Sequence, residues 1–347
     1  MITFIFDFGI FKSSKTVFLQ SNFEKMDIIT AYKEDFISYL NKKVEVSEPE
    51  NLYAPIHYIL QLGGKRLRPI LTLMTCEIFN GDVKKAYDAA LAIEVFHNFT
   101  LIHDDIMDSA PIRRGKETVH KKWDLNTGIL SGDAMMIMAY RFLEDYDAET
   151  YKKIMPLFNK TALEVCEGQQ YDMDFETRND VTIPEYLKMI TYKTSVLVAA
   201  AMKMGALIAN VKDEEADKIF DFGLNLGLAF QLQDDYLDTF GDVKVFGKQI
   251  GGDIMENKKT FLYLKALEVC EANQKEQLFR LYNANNAENK VEKVTQLFEQ
   301  NSIPEIVINE IENYTNKAFE ILETMSISNE KKKILRNFGF SLMKRTI

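Results

Sequence analysis

Three aspartates stand at the end of an apolar, helix-like run in the first third of the chain. They are Asp104, Asp105 and Asp108, in the order D-D-I-M-D. In a helix, residues four apart share a face and lie about 6 Å apart, so Asp104 and Asp108 point the same way, while Asp105 is about 100° around. Neighbouring carboxylates on an apolar helix need a compensating positive charge. Mg²⁺ bridges carboxylates to substrate phosphates and is the natural candidate.

The same spacing recurs 130 positions later in Asp234, Asp235 and Asp238. This copy also follows an apolar, helix-like run, residues 222–230. A single acidic cluster is typical of a solvated helix end. Two copies at the ends of apolar helices indicate a pair of metal-binding segments.

Basic residues accompany both acidic motifs. Any one of them alone is typical of a protein surface, although Lys193 has apolar neighbours and fits that interpretation least well. The first three lie at a predicted helix start, where free N–H groups also favour anions. Arginine and lysine bind phosphate oxygens well, so the set indicates diphosphate groups held between metal ions and basic side chains. The set comprises Lys65, Arg66, Arg68, Arg113, Arg114, Lys193, Lys248 and Lys258.

Bulk composition narrows the function classes. The 347 residues are 46% apolar and carry a formal charge of −10, which argues against general affinity for nucleic acids. No apolar run reaches the length of a membrane span, so stable membrane insertion is not expected. The cysteines Cys76, Cys166 and Cys270 show no zinc spacing and favour a reducing, cytoplasmic location.

Long amphipathic patterns with short breaks recur along the chain, and period-two patterns are scarce. The sequence therefore predicts an all-α fold, with one all-helical domain over residues 26–347. Residues 1–25 are apolar at first but lack a basic start and a cleavage site, so an N-terminal extension that need not be ordered is expected rather than a signal peptide. Within the domain, Ser131 is predicted to cap a helix over residues 132–146.

Taken in order, these motifs resemble the trans-isoprenyl diphosphate synthases, the family of farnesyl and geranylgeranyl diphosphate synthases. The resemblance spans Ala54 to Lys259. Its elements are G-G-K-R-L-R-P at 63–69, His97, D-D-I-M-D followed by R-R-G, G-Q-x-x-D at 168–172, Lys193-Thr194, F-Q-L-Q-D-D-Y-L-D at 230–238, and G-K followed by G-G-D-I-M-E-N-K at 247–258.

The resemblance implies one large bundle of long helices around a central cavity, usually in a homodimer. It implies Mg²⁺ ions, about three per active site, held by carboxylates of both motifs. By position, Asp104, Asp108 and Asp234 resemble direct metal ligands, and Asp105, Asp235 and Asp238 resemble residues that support them directly or through water. Asp172 resembles a further residue lining the metal site.

The resemblance also assigns the substrate contacts. Arg113, Lys193 and Lys258 resemble ligands of an allylic diphosphate, with Lys248 beside them. Lys65, Arg68, His97 and Arg114 resemble the pocket for isopentenyl diphosphate. Thr194 and Gln231 resemble residues near the reacting carbons that stabilise a cation.

The expected reaction begins when the allylic carbon–oxygen bond breaks, which gives an allylic cation and free diphosphate. Metal ions and lysines stabilise the departing negative charge. The double bond of isopentenyl diphosphate then attacks the cation where water is scarce. A proton leaves, plausibly to the released diphosphate, because the sequence offers no obvious dedicated base.

Product length in such enzymes depends on side chains just before the first acidic motif. Phe99 lies five positions before Asp104, the small Thr100 lies four before it, and Phe96 lies eight before it. Phe99 is expected to form the cavity floor, although Phe96 and Phe99 could equally be ordinary core aromatics. The expectation is a short product, geranylgeranyl or farnesyl diphosphate, with geranylgeranyl favoured.

Three other interpretations stay open at this stage. Two E-x-x-H patterns, beginning at Glu94 and Glu117, are of the kind used by di-metal helical bundles, but they leave both D-D-x-x-D motifs unexplained. A terpene cyclase would need only one acidic motif and no second diphosphate pocket. A non-catalytic partner subunit of a heteromeric synthase would be expected to have lost part of a motif.

Overall fold

The computed structural model describes residues 15–241, 250–283 and 288–343, with side chains from Ile29 onward. Its helices are α1 Lys15–Lys43, α2 Glu50–Gln61, α3 Leu67–Ile78, α4 Tyr87–Met107, α5 Val119–Lys122, α6 Leu125–Arg141, α7 Ala148–Thr177, α8 Ile183–Ile190, α9 Val196–Ile208, α10 Asp213–Phe240, α11 Gly252–Met255, α12 Phe261–Val269, α13 Ala272–Asn283, α14 Lys290–Gln300, α15 Ile303–Thr324 and α16 Asn329–Met343.

The described chain is helical almost throughout, so the all-α prediction is confirmed. Its strands are the two-residue segments β1 Ile112–Arg113 and β2 Lys116–Glu117, which pair antiparallel. None of the described helices is both long enough and apolar enough to span a membrane. The expectation that residues 26–347 form one domain stays a prediction.

The chain divides into two compact units. The first contains Met1–Ile70 and Glu94–Ile137, and it carries the first acidic motif with four arginines around it. The second contains Leu71–Ile93 and Met138–Ile347, and it carries the second acidic motif. Each unit has buried apolar residues of its own, such as Ile56 and Phe96 in the first and Phe222 in the second.

The β1–β2 hairpin follows the first acidic motif after only a few residues. Its turn is formed by Arg114 and Gly115, and both have positive φ, at 52° and 74°. Tight hairpin turns require this backbone conformation, which glycine adopts at no steric cost. The hairpin therefore returns the chain sharply and leaves Arg113 and Arg114 close to the end of α4.

The start of α6 differs from its prediction. The sequence predicts Ser131 as the N-cap, and this is wrong, because the helix already begins at Leu125. Asp124 provides the cap instead, since its carboxylate accepts hydrogen bonds from the backbone N–H of Thr127 at 2.8 Å and from the Thr127 hydroxyl at 2.9 Å. Ser131 lies inside the helix and donates to the carbonyl of Leu52. A serine directly before a glycine resembles an N-cap, but the residue that caps this helix is the aspartate about two turns earlier.

Helices α8 and α9 form a continuous helical run that is interrupted by a π-helical segment, Thr191–Ser195. A capping box starts the run, with Thr182 and Glu185 bonded to each other's backbone N–H. Helix α9 is apolar on nearly all sides and rich in alanine, and eleven of its thirteen residues are buried, the exceptions being Lys203 and Ile208. Small side chains allow neighbouring helices to approach α9 closely.

The closest approach to α9 predicts a stability effect. A Cβ on Gly205 would lie closer than 3.0 Å to the backbone oxygen of Thr72 on α3, and backbone cannot easily yield. We expect Gly205→Ala to lower the free energy of unfolding by about 1–3 kcal/mol, the usual cost of overpacking. Gly128→Ala on α6 is the control, because the tightest contact of its Cβ would be with the flexible end of Ile106, at 3.0 Å, and its contacts with His120 would be ordinary ones. Chemical denaturation measures both, and equal midpoints would contradict the prediction.

Candidate active site

The first acidic motif lies at the C-terminal end of α4. The backbone N–H of Asp108 donates to the carbonyl of Asp104 at 2.8 Å, so helical geometry continues through the motif. Asp108 is exposed and Asp104 is half-buried. Asp105 is only 1% exposed, and its Oδ2 accepts a hydrogen bond from Arg113 Nε at 2.8 Å. The motif thus separates into a buried aspartate that anchors the hairpin and two more accessible aspartates, one helical turn apart, that can bind a cation.

Four arginines gather in the same unit, and we call Arg66, Arg68, Arg113 and Arg114 the basic cluster. Burial lowers the pKa of both Arg68 and Arg114; neighbouring arginines lower both values further, and Glu94 opposes this shift. The guanidinium of Arg114 donates to the carbonyl of Gly63, which ties the hairpin to the G-G-K-R-L-R-P segment. Gly64 is required here, because a Cβ on it would meet that guanidinium and its φ is 120°. Desolvated arginines in one place form a site for an anion.

His97 lies within the basic cluster. Its Nε2 is 3.2 Å from Arg68 Nη1. Burial lowers the pKa of His97 well below the usual histidine value, and the charges of all four arginines lower it further. The imidazole is therefore neutral at physiological pH. A neutral histidine facing an arginine can still donate a hydrogen bond to a phosphate oxygen, as the sequence predicts for this residue.

Glu94, the first residue of one E-x-x-H pattern, has two side-chain partners within the first unit. Its carboxylate forms an ion pair with Arg66 and accepts a hydrogen bond from Asn98 Nδ2 at 3.0 Å. Glu117, the start of the other pattern, is exposed on β2. These partners leave Glu94 engaged with an arginine rather than presented to a metal, so the di-metal interpretation gains no support.

The second acidic motif repeats the arrangement of the first. Asp235 is 5% exposed, and its carboxylate accepts hydrogen bonds from the Tyr186 hydroxyl and from Gln231 Nε2, the latter at 3.0 Å. Burial raises the pKa of Asp235 well above the usual value, and Asp253 raises it further. Asp234 and Asp238 are more accessible. As in the first motif, the second aspartate is the buried anchor.

Asp238 also shapes the segment that follows. Its Oδ2 accepts a hydrogen bond from the backbone N–H of Asp253 at 2.9 Å, and its carbonyl accepts one from Gly251 at 2.6 Å. Gly251 has a φ of 81°, which suits a glycine. The third aspartate of this motif therefore holds the G-G-D segment at the start of α11. Part of its carboxylate is engaged in this role, in accord with its expected place as a supporting ligand.

Lys193 lies in the π-helical segment and faces α7. Its Nζ is 2.5 Å from Asp172 Oδ2. Gly168, one turn before Asp172, lets the two helices meet, because a Cβ there would lie closer than 3.0 Å to the backbone of Lys193. π-helical segments inside α-helices are frequent at functional sites. The G-Q-x-x-D motif thus has a physical explanation: the glycine admits the lysine backbone and the aspartate holds its ammonium group.

Thr194, next along the π-helical segment, also turns toward the second motif. Its hydroxyl is 3.3 Å from Oε1 of Gln231, whose amide nitrogen contacts Asp235. Thr194, Gln231 and Asp235 therefore form a connected polar chain in the second unit. The sequence predicts both Thr194 and Gln231 near the reacting carbons, and the structure brings these two together.

Lys258 follows α11. Burial alone would lower its pKa, but Glu256, Asp253 and Asp172 together raise it above the usual lysine value, so Lys258 is charged. Glu256 lies 3.0 Å from its Nζ. The other lysine expected beside it, Lys248, lies outside the described residues. Lys65 of the first unit is exposed.

The residues expected to limit product length belong to the first unit. Phe96 and Phe99 are buried, with ring centroids 5.5 Å apart. The Phe99 ring also meets His103 edge-on at 4.8 Å. Thr100 is half-buried, and its hydroxyl donates to the carbonyl of His97. Sequence reasoning missed His103, although its position four residues after Phe99 places both on one helix face.

Among the described residues, no three His, Cys, Asp or Glu side chains form a ready-made metal cluster. The accessible aspartates of each motif can instead supply one or two carboxylate ligands to a metal ion. Mg²⁺ commonly binds through one or two carboxylates, several waters and the phosphates of a substrate. Such a donor set fits a metal ion that is completed by a diphosphate better than one held by protein alone.

Comparison with known proteins gives one consistent result. The Polyprenyl synthetase family profile matches residues 49–300. The chain belongs to the polyprenyl synthetase family. The resemblance inferred from the motifs is thereby confirmed.

Individual members of the polyprenyl synthetase family resemble the chain over most of its length. Geranylgeranyl diphosphate synthase of Methanosarcina mazei is 44% identical over 231 residues, 66% of this chain and 71% of that one. A crystal structure of a geranylgeranyl pyrophosphate synthase superimposes with a TM-score of 0.88 at 54% identity, covering 92% of this chain and 99% of that one. A polyprenyl synthase of Caulobacter crescentus, complexed with calcium and isoprenyl diphosphate, is 27% identical with a TM-score of 0.81, covering 92% and 98%.

The contact between Gly168 and Lys193 predicts a functional effect. In Gly168→Ala, the new methyl group would push the lysine backbone away from α7 and weaken its bond to Asp172. We expect the turnover rate of prenyl transfer to fall by roughly tenfold to a hundredfold, as for misplaced catalytic groups. Gly128→Ala, a glycine-to-alanine change in a helix of the other unit, is the control. Steady-state kinetics on folded protein decide, and full activity of Gly168→Ala would refute the positioning role.

The lowered pKa of His97 predicts a pH effect on stability. The unfolded chain binds a proton at His97 near pH 6.5, whereas the folded chain resists protonation, so stability is complete above this pH and falls as the pH drops. The loss is at most about 1.4 kcal/mol per pH unit. Denaturation of His97→Gln and wild type between pH 7 and pH 5 measures it. The wild type should lose more stability than the variant, and parallel losses would contradict the shift.

Proposed function

We propose that this protein is a short-chain trans-prenyl diphosphate synthase that joins isopentenyl diphosphate to an allylic diphosphate. The observation that carries the proposal is the duplicated acidic motif. In each copy the second aspartate is buried and anchored, while the other two remain accessible for a cation. Membership of the polyprenyl synthetase family and likeness to geranylgeranyl diphosphate synthases support it.

Mg²⁺ is the proposed metal, with about three ions per active site held by both acidic motifs. Hard divalent cations prefer oxygen ligands, and the accessible aspartates supply them. The proposed ligands are Asp104, Asp108, Asp172, Asp234 and Asp238. When bound, the ions would offset the negative charge that develops on the departing diphosphate.

Lys65, Arg68, His97 and Arg114 are proposed to bind isopentenyl diphosphate. Arg68 and Arg114 are desolvated, and His97 is neutral between them, so the pocket offers charged donors beside an uncharged one. Lys65 is exposed at its edge. Neutral His97 is a phosphate donor here rather than the base that removes the final proton.

The second unit is proposed to act on the allylic substrate. Lys193 and Lys258 are oriented by carboxylates, and together with Arg113 they would hold the allylic diphosphate as it leaves. The hydroxyl of Thr194 and the amide of Gln231 would stabilise the adjacent cation through their oxygens. Lys248 is included in this set on the family resemblance alone.

We further propose that the enzyme is a homodimer of the cytoplasm. Apolar side chains of α6 are exposed on the single chain, namely Leu125, Ile129, Leu130 and Ile137. A row of this kind on one helix is a candidate contact for a second copy. None of the three cysteines forms a disulfide, which fits a reducing compartment.

The proposed product is geranylgeranyl diphosphate, with farnesyl diphosphate as the shorter alternative. The burial of Phe99 between Phe96 and His103 supports a fixed limit to chain growth, and the small Thr100 leaves more room than an aromatic residue would.

A product assay tests the function. Purified protein, Mg²⁺, isopentenyl diphosphate and a short allylic diphosphate are incubated, and the products are sized by mass spectrometry. A dominant geranylgeranyl or farnesyl diphosphate, lost on chelation of the metal, is expected. Absence of elongation by the folded chain alone would favour a non-catalytic partner subunit, and a cyclic hydrocarbon product would favour a terpene cyclase.

Removal of the Phe99 ring should lengthen the product. In Phe99→Ala the space below the first acidic motif opens, so longer prenyl diphosphates are expected to accumulate in the same assay. Phe298→Ala on α14 is the control, since it removes a buried ring from the second unit and should likewise cost about 3–5 kcal/mol of stability. An unchanged product length in Phe99→Ala would remove Phe99 as the floor.

A further inference from the structure

One buried ion pair of the first unit has no assigned role in the reaction. Arg66 Nη1 meets Glu94 Oε1, and both side chains are 4% exposed. Arg66 Nη2 also donates to the carbonyl of Leu60 at the end of α2. Asn98 completes the network with hydrogen bonds to the carbonyl and to the carboxylate of Glu94, at 2.8 and 3.0 Å. One guanidinium therefore links α2 to α4.

The pair lies beside the residues proposed to bind isopentenyl diphosphate. Arg66 follows Lys65 at the end of the short segment that connects α2 to α3, and Arg68 lies in the first turn of α3. The Arg66 side chain is buried, whereas that of Lys65 is exposed. Glu94 lies on α4, three residues before His97. The connecting segment thus contacts α4 through Arg66 to Glu94, and the start of α3 contacts α4 through Arg68 to His97.

The backbone of this segment is itself constrained. Arg66 has a φ of 51°, in the left-handed region that non-glycine residues rarely adopt, and it follows two glycines that also have positive φ. Residues in such conformations persist only where surrounding contacts hold them. The contacts of the Arg66 guanidinium with Glu94 and Leu60 supply that hold. Without them, two glycines would leave the segment free to take other conformations.

We propose that Arg66 and Glu94 are positioning residues for isopentenyl diphosphate. Their ion pair fixes the connecting segment on α4, so that Lys65, Arg68 and His97 present their donors to one diphosphate. This inference rests on the proposed function of the enzyme. It also gives the E-x-x-H pattern a role: the glutamate holds the arginine-bearing segment, and the histidine faces the substrate.

The effect of Glu94 on the affinity for isopentenyl diphosphate distinguishes a positioning role from a purely electrostatic one, because the two roles predict opposite changes. A carboxylate beside the basic cluster opposes anion binding, and it raises the pKa of both Arg68 and Arg114. If charge were its only effect, Glu94→Gln would tighten binding of isopentenyl diphosphate. If it positions the segment, the same variant should weaken binding.

Arg66→Lys tests the pair without changing the net charge. A lysine has one charged nitrogen, which cannot contact Glu94 and the Leu60 carbonyl in the way that a guanidinium does. The positioning role predicts weaker binding of isopentenyl diphosphate, whereas a purely electrostatic role predicts no change. Phe298→Leu, a core change in the other unit, is the control for loss of stability alone.

The experiment measures KM for each substrate separately, with kcat and thermal melting, on the full chain. For Glu94→Gln and Arg66→Lys we expect KM for isopentenyl diphosphate to rise roughly tenfold or more, the effect of losing about one charge-assisted hydrogen bond. KM for the allylic diphosphate should stay within about twofold. Phe298→Leu should lower the melting temperature and leave both KM values unchanged.

Other outcomes separate the two hypotheses. If wild type makes no prenyl diphosphate, the proposed function itself fails. If wild type is active and Glu94→Gln shows an equal or lower KM for isopentenyl diphosphate, the positioning role is overturned. Equal changes in both KM values would also overturn it, because they indicate a general structural effect. Either variant, once folded, is sufficient to decide.

Discussion

The structure depends on the compensation of charge inside apolar helices. Each acidic motif places an aspartate on the buried side of its helix, and each buried aspartate has a specific partner. Asp105 is paired with Arg113, whereas Asp235 is bonded by Tyr186 and Gln231. An unpartnered buried carboxylate would be strongly unfavourable. These partners fix the helix ends, and the remaining aspartates are thereby held where a cation can reach them.

The charged partner of Asp105 and the neutral partners of Asp235 have different electrostatic consequences. An arginine keeps Asp105 in an environment suited to a carboxylate, and the same arginine is proposed to contact substrate. Neutral donors partner Asp235, whose pKa is raised by burial and by Asp253. Asp253 and Asp234 both add negative charge near Asp235, while Lys193 and Lys258 interact with Asp172 and Glu256. A divalent cation is the natural complement of such an arrangement.

The sequence was sufficient to predict the helical fold and the family, because motif spacing and apolar periodicity are local properties, while the roles of the individual site residues stay predictions. The start of α6 was predicted wrongly, since a serine and an aspartate about two turns apart can both cap a helix and tertiary contacts decide between them. Tyr186 and the role of Glu94 were not foreseen. Each depends on a partner distant in sequence, Asp235 and Arg66 respectively, and no periodic pattern records such a pairing.

Glycine positions connect these local and distant effects. Gly168 admits the backbone of Lys193, Gly64 admits the guanidinium of Arg114, and Gly251 permits the turn that brings Asp253 to Asp238. In each case an absent side chain makes room for a charged group or for the backbone that carries it. The motifs of this family therefore combine two kinds of residue: charged side chains that bind substrate or metal, and glycines that let those side chains be placed. A substitution of either kind should impair the same chemistry, the first through lost charge and the second through lost position.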